Sequence, residues 1–195
     1  MNEQELEQLK YPIGRFKNPE NFTPEFLENC ISVIENFPEN LRTEVVNLSD
    51  NQLDTPYREN GWTVRQVVHH CADSHINSIL RFKLALTEEK PIIKPYFEDR
   101  FAELIDSKNF PIEASLQILD GTHKRWVAIL KSLTEKDLQK TFIHPEHNKE
   151  FTLQTNIAIY AWHCNHHLAH ITSLKKKNGL VKTPRQKFSK FLPLL

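Results

Sequence analysis

Four long stretches of this chain repeat apolar residues every three or four positions, which is the spacing of an amphipathic α-helix. They cover residues 24–48, 63–86, 111–133 and about 153–178. Helices of this length, each with one apolar face, are stable when those faces pack against one another. Glycine is scarce, with 4 in 195 residues, which also favours long helices over frequent tight turns. The pattern therefore predicts an all-α four-helix bundle.

Capping residues and prolines predict where these helices begin and end. Thr23 and Pro24 suit the N-cap and the first position of the first helix. Pro38 is expected to interrupt that helix and to begin a further helical stretch through residue 48. Thr63 and Gln66 form a potential capping box at the start of the second helix, because each side chain can satisfy a backbone amide of the other residue.

Three smaller segments complete the predicted organisation. A short helix is expected around residues 101–105. Residues 141–153, TFIHPEHNKEFTL, have β-prone ends around a polar middle and predict a small hairpin or loop. We therefore expect one helical domain over residues 1–179, followed by a basic, partly apolar extension over residues 180–195.

The charge balance and the residue counts argue against several classes of function. Lys and Arg number 25, as do Asp and Glu, so broad electrostatic attraction to nucleic acid is not expected. The four glycines are too widely separated for a Walker loop or a dinucleotide fingerprint. The three cysteines lie far apart in the sequence, which argues against a disulfide framework and a cysteine zinc site. The sequence contains no run of 18 apolar residues, so no membrane-spanning helix is predicted. We expect a cytoplasmic protein without nucleic-acid or membrane partners.

Histidine is concentrated in two short windows. Seven of the 10 histidines lie in these windows, namely His69, His70, His75, His163, His166, His167 and His170. Imidazole is a common metal ligand, and two histidines four positions apart on a helix can bind one ion. The two windows together therefore predict a metal site, provided that the fold brings them together.

On the last predicted helix, two histidine pairs compete as ligands. His163 and His167 are four positions apart, and His167 shares the apolar stripe of that helix. His166 and His170 have the same spacing, but their face continues to polar residues and is expected to point towards solvent. Helical geometry thus favours His163 and His167.

The earlier window is expected to supply a third ligand. Polar residues, among them Asp73, surround His70 at helical spacing. This pattern suggests a cavity lined by polar side chains, but it is also compatible with a helix face that points towards solvent. His69 is a rival donor that the spacing does not exclude. His75 shares a face with the apolar residues Ile79 and Phe82, so a packing role is favoured.

Several segments closely resemble the YfiT-like family within the DinB-like superfamily. The resemblance rests on TPYRENGWTVRQVVHH, on the continuation CADSHINSILRFKL and on WHCNHHLAHI, and it extends from YPIGRF to about Gly179. It implies a four-helix bundle that forms a homodimer and holds one zinc or nickel ion through three histidines. On the matching positions the ligands are His70, His163 and His167, which agrees with the spacing argument. Proteins of this family are described as metal-dependent hydrolases, and relatives include thiol-S-transferases that use bacillithiol or other small thiols.

Three neutral imidazoles leave a divalent metal its full charge and at least one open position. Such an ion can lower the pKa of a bound water from 15.7 towards about 7, or it can hold a thiol as thiolate. The first hypothesis is therefore a hydrolase that acts on a small molecule, and the alternative is a thiol-S-transferase. A non-catalytic metal-dependent binding or sensor protein is a further alternative. Asp73 and His166 are candidates for a general base or proton shuttle, or for side chains that orient a ligand.

Overall fold

The computed structural model describes residues 2–146 and 148–179. The predicted basic extension over residues 180–195 lies outside the described residues. The helices are α1 (Glu3–Lys10), α2 (Pro24–Val45), α3 (Asp50–Leu53), α4 (Val64–Thr87), α5 (Glu98–Phe101), α6 (Ile105–Asn109), α7 (Glu113–Ser132), α8 (Glu135–Leu138) and α9 (Leu153–Lys177). Two strands, β1 (Thr141–His144) and β2 (Lys149–Thr152), pair between α8 and α9.

The four long helices α2, α4, α7 and α9 form a bundle with a shared apolar core. Helix α2 packs against α7 and α9, and α4 packs against the same two helices. Each helix contributes fully buried apolar side chains, among them Leu41, Phe82, Trp126 and Ile157. The predicted all-α four-helix bundle is confirmed, and no helix in the described part of the chain is long and apolar enough to cross a membrane.

The N-terminal caps predicted for two of these helices are present. The Thr23 hydroxyl accepts a hydrogen bond from the Phe26 amide at 3.2 Å. At the start of α4, the Gln66 amide donates to the Thr63 hydroxyl at 3.2 Å, and the Thr63 amide donates to the Gln66 side chain at 2.9 Å. Local side-chain chemistry therefore sets both helix starts.

The prediction that Pro38 interrupts the first helix is wrong. Helix α2 continues through Pro38 to Val45. An internal proline removes one helical hydrogen bond and costs about 3 kcal/mol. On both sides of it, however, the buried side chains of Ile34, Phe37 and Leu41 pack into the core and hold the helix together.

The connecting segments agree with the predictions only in part. The expected hairpin is present, with Phe142 opposite Phe151 in an antiparallel register. The prediction of a short helix around residues 101–105 is wrong, because α5 ends at Phe101 and α6 begins at Ile105. Helix α1 was not predicted; its Asn2 cap and Glu5 form a capping box in a polar segment without buried residues.

Candidate metal centre

The two histidine windows meet between α4 and α9. His70 projects from α4, and His163 and His167 project from successive turns of α9. One ring nitrogen of each lies within 4.8 Å of the others. The Nε2 atoms of His70 and His163 are 3.2 Å apart, and two nitrogens bound at about 2.0–2.1 Å to a tetrahedral ion lie about 3.3–3.4 Å apart. The structure thus brings together the three histidines predicted as ligands, at a spacing that suits one ion.

The protein atoms around these three imidazoles keep them neutral. Burial lowers the pKa of His70 to about 3, with a further contribution from His170. The pKa values of His163 and His167 also lie well below 6.5, first because of desolvation and then because neighbouring histidines repel a positive charge. Since a neutral imidazole offers a free lone pair, this donor set fits a divalent cation.

His163 has the largest number of polar contacts among the three. Its Nδ1 atom lies 3.1 Å from Nε2 of His75, and its Nε2 atom lies 3.4 Å from the Ser74 hydroxyl. The Tyr160 hydroxyl donates to the Ser74 carbonyl at 3.1 Å and so holds this turn of α4 against α9. The packing role predicted for His75 is therefore incomplete, because the ring is fully buried and also hydrogen-bonds a candidate ligand.

The competing pair on α9 is buried, so the prediction that it faces solvent is wrong. The N-terminal segment covers this face: the Nε2 atom of His170 donates to the Lys10 carbonyl at 3.1 Å, and Tyr11 lies beside His166. Tyr57 stacks on His170 with 3.9 Å between ring centroids. The sequence periodicity of α9 could not show this cover, since the covering residues are far away in the chain.

A second group of potential ligands results from this burial. One ring nitrogen each of His166, His167 and His170 also lies within 4.8 Å of the others. The Nδ1 atoms of these three residues are buried without a hydrogen-bond partner. His167 belongs to both groups, so the two possible ligand sets share this one residue.

A cavity of about 470 Å³ reaches the candidate metal centre from one side of the bundle. His163, Ser74 and Tyr160 form its inner wall, and Arg81 and Glu98 also line it. His163 stays partly exposed towards this space. A small molecule in the cavity would therefore lie against a candidate ligand.

Comparisons with known proteins agree with this fold and donor set. The model of the DinB superfamily matches residues 34–171. The chain belongs to the DinB superfamily. A protein of Bacillus cereus (strain B4264), named "putative metal-dependent hydrolase", is 54% identical over 172 residues, which cover 88% of this chain and 98% of that protein. A relative with the same name in Bacillus mycoides (strain KBAB4) is 53% identical over the same share of both chains.

A solved structure has the same architecture as this chain. YfiT from Bacillus subtilis is described as "a probable metal-dependent hydrolase with an unusual four-helix bundle topology". It superposes with a TM-score of 0.87 and 47% sequence identity, covering 89% of this chain and 99% of that chain. The resemblance predicted from the sequence motifs is therefore confirmed.

Of the remaining candidate residues of this DinB-superfamily chain, His166 packs against His167, whereas Asp73 and His69 form no hydrogen bond with the three histidines in the described residues. The Asp73 carboxyl group has no side-chain hydrogen bond to any of them within the described residues, and burial, followed by the charge of Asp106, raises its pKa to about 6. His69 hydrogen-bonds the Ser115 hydroxyl at 2.8 Å and the Phe110 carbonyl at 3.1 Å. Both ring nitrogens of His69 are thus engaged in hydrogen bonds, so His69 is not placed among the candidate metal ligands.

Sequence reasoning missed His123, which lies alone on α7 and gives no spacing signal. In the structure its Nε2 atom is 2.7 Å from Nδ1 of His75, and its ring is buried. The packing of α7 against α4 brings it to His75, which in turn contacts His163, and no local pattern in the chain predicts that packing.

Proposed function

We propose that this protein is a metal-dependent hydrolase that acts on a small molecule, with one zinc or nickel ion held by His70, His163 and His167. The observation that carries the proposal is the convergence of three neutral imidazoles, one of which, His163, lines a cavity of about 470 Å³. The names of the relatives, which are putative metal-dependent hydrolases, support the same activity.

The donor set favours a catalytic ion over a purely structural one. Structural zinc sites are usually closed by four protein ligands, whereas catalytic sites combine three with an open position. When bound, the ion supplies a Lewis acid that lowers the pKa of a coordinated water towards about 7, which provides a nucleophile at neutral pH.

The residues around the cavity supply binding and orientation. The Ser74 and Tyr160 hydroxyl groups lie 3.2 Å apart at the inner wall, where they can hydrogen-bond a polar substrate group. The Arg81 guanidinium, also in the wall, offers donors to a substrate carbonyl or carboxylate oxygen. Asp73 and His166 support the site from neighbouring positions, as a proton acceptor or as orienting groups, and are proposed here only in that role.

Metal analysis followed by an activity screen tests the function. We expect purified protein to contain one zinc or nickel ion per chain, to hydrolyse members of a panel of small esters and amides, and to lose that activity with a chelator. Activity should return on addition of the metal. A variant Ile118→Ala, on an exposed part of α7, serves as the control and should behave like the parent protein.

The same preparation separates the alternative functions. Consumption of bacillithiol or another small thiol together with an electrophile, without hydrolysis, would indicate a thiol-S-transferase. Metal binding at one ion per chain without turnover of either kind would indicate a metal-dependent binding or sensor protein.

A further inference from the structure

Three histidines, of which His75 and His123 are buried, connect the candidate metal centre to the backbone of α2. The Nδ1 atom of His163 lies 3.1 Å from Nε2 of His75, and Nδ1 of His75 lies 2.7 Å from Nε2 of His123. The Nδ1 atom of His123 lies 2.6 Å from the carbonyl oxygen of Ile34. The residues belong to α9, α4, α7 and α2, so this histidine chain passes through all four long helices of the bundle.

The Ile34 carbonyl at the end of the histidine chain determines which nitrogen of each ring donates and which accepts. A carbonyl oxygen only accepts, so His123 carries its hydrogen on Nδ1 and, when neutral, has a lone pair on Nε2. That lone pair accepts from Nδ1–H of His75, which in turn leaves Nε2 of His75 free to accept from Nδ1–H of His163. The remaining lone pair of His163 is then on Nε2, the atom that lies 3.2 Å from Nε2 of His70.

Pro38 explains why the Ile34 carbonyl is available to His123. In an α-helix the carbonyl of residue 34 accepts a hydrogen bond from the amide of residue 38. Proline has no amide hydrogen, so this carbonyl lacks its helical donor although α2 continues past it. The His123 ring supplies the missing donor from α7.

The surroundings of the histidine chain favour neutral rings. His75 and His123 are 0% and 2% exposed, and in the described residues no carboxylate hydrogen-bonds either ring. Phe37 packs against both rings, with centroid distances of 5.1 Å and 5.7 Å, and Trp126 packs against them from another side. A positive charge among these groups would be costly to bury without a counter-charge.

We propose that His75 and His123 are positioning residues. Through their hydrogen bonds, the Ile34 carbonyl fixes the hydrogen of His163 on Nδ1, so that the Nε2 lone pair of His163 faces the metal. The ligand role of His163 rests on the proposed function. A free neutral imidazole exchanges its hydrogen between both nitrogens, and the form with Nε2–H cannot bind a metal through Nε2. Hydrogen bonds of this kind typically change metal affinity about 10–100-fold.

Nuclear magnetic resonance of the metal-free full chain tests the direction without any variant. Long-range ¹H–¹⁵N correlations distinguish the two neutral forms of a histidine ring. We expect His75, His123 and His163 all to carry hydrogen on Nδ1. Hydrogen on Nε2 of any one of them would overturn the proposal, whether or not the protein binds a metal.

A set of variants at one position tests the consequence for metal binding. His75→Leu removes the acceptor, and we expect Zn²⁺ affinity, measured by competition with a chromogenic chelator, to fall about 10–100-fold. His75→Gln places a side-chain oxygen where it can accept from Nδ1–H of His163, and the affinity should remain within a few fold of the parent. Equal losses in the two variants would contradict the positioning role.

Trp126→Phe is the matched control for packing. It disturbs the same buried rings without removing a hydrogen bond of the histidine chain, so it should lower the melting temperature but leave Zn²⁺ affinity unchanged. A loss as large as that of His75→Leu would show that packing alone is responsible. If the parent protein binds no metal, the proposed function fails, while the resonance experiment still decides the direction of the histidine chain.

Discussion

At the scale of single residues, the dominant feature is the number of histidines held neutral inside the protein. Eight histidines of the described residues have pKa values lowered mainly by desolvation: His69, His70, His75, His123, His163, His166, His167 and His170. Such rings stabilise a fold only where their nitrogens have partners. Several of them hydrogen-bond one another or the backbone, and the unpartnered Nδ1 atoms lie at the possible metal sites.

Removal of any one proposed ligand should abolish tight metal binding. We expect His70→Ala, His163→Ala and His167→Ala each to lose more metal affinity than the about 10–100-fold typical of residues that only orient a ligand. Metal content after dialysis measures this directly. The control is His69→Ala, on the same turn of α4 as His70, which should retain its metal because Ser115 and Phe110 occupy its nitrogens.

Metal binding through the second histidine group of α9 would contradict this ligand assignment. If His166→Ala and His170→Ala lose the metal while folded His163→Ala and His70→Ala proteins keep it, the ion is held by the second histidine group. Partial losses in His166→Ala and His170→Ala agree with a supporting role.

At the scale of helices, α9 is held against α2 by an ion pair as well as by apolar packing. The Lys175 ammonium group donates to the Glu44 carboxylate at 2.6 Å and to the Glu44 carbonyl at 2.8 Å. Both side chains are buried, with 7% and 1% exposed. A buried pair adds little over a matched apolar pair, but loss of one partner leaves a charge that burial has cut off from water.

Lys175→Met should therefore destabilise the bundle markedly. We expect the free energy of unfolding in urea to fall by about 3–5 kcal/mol, as is typical when a buried ion pair is broken. The double variant Glu44→Leu with Lys175→Met should recover much of that loss because no charge is left buried. The exposed pair of Lys131 and Glu35 is the control, and Lys131→Met should change stability by less than about 1 kcal/mol. Equal effects at both positions would contradict this interpretation.

At the scale of the whole molecule, the buried histidines couple folding to pH. In the unfolded chain they regain pKa values near 6.5, whereas in the folded metal-free protein the pKa is about 3 for His70 and about 4 for His123. Below pH 6.5 the unfolded state thus binds more protons, and stability falls as the pH drops towards the folded values. The pKa of Asp73, raised to about 6, and that of Glu98, which burial also raises, act in the opposite direction, but these carboxyl groups are fewer than the buried histidines.

Acid should consequently unfold the metal-free protein steeply. Each extra proton bound by the unfolded state changes the free energy of unfolding by about 1.4 kcal/mol per pH unit. Urea unfolding at pH 7.5, 6.5 and 5.5 should show a small change over the first interval and a larger loss over the second. A constant stability from pH 7.5 to 5.5 would contradict the neutral state of these histidines.

The surface of the molecule bears on its assembly. Large apolar side chains are exposed between α4 and α7, notably Ile92, Phe97, Leu104, Ile105 and Phe110. Exposed apolar residues gathered in one segment are typical of interaction surfaces, and symmetric dimers are the commonest oligomers. We propose a homodimer, for which sedimentation at micromolar concentration should give twice the chain mass of 22.9 kDa. Ile105→Glu should shift the protein towards a monomer, and a parent protein that sediments only as a monomer would contradict the proposal.

The sequence by itself predicted the four long helices, the N-terminal caps of two of them, the hairpin and the pair His163 and His167 four positions apart on one helix face. These features depend on residues close together in the chain: apolar periodicity places a helix face, and Thr63 and Gln66 cap α4 within one turn. The match of the family motifs extended this local information to the fold as a whole.

Tertiary structure alone decided which faces of those helices are covered and which distant residues meet. Pro38 looked like a helix break because its local effect is unfavourable, but core packing around Ile34 and Leu41 outweighs it. The partners of His170 and His163, which are Lys10, Tyr57 and His75, lie at separations that no helical period encodes. Burial and hydrogen bonding depend on contacts between elements, and those contacts exist only after the four helices have packed.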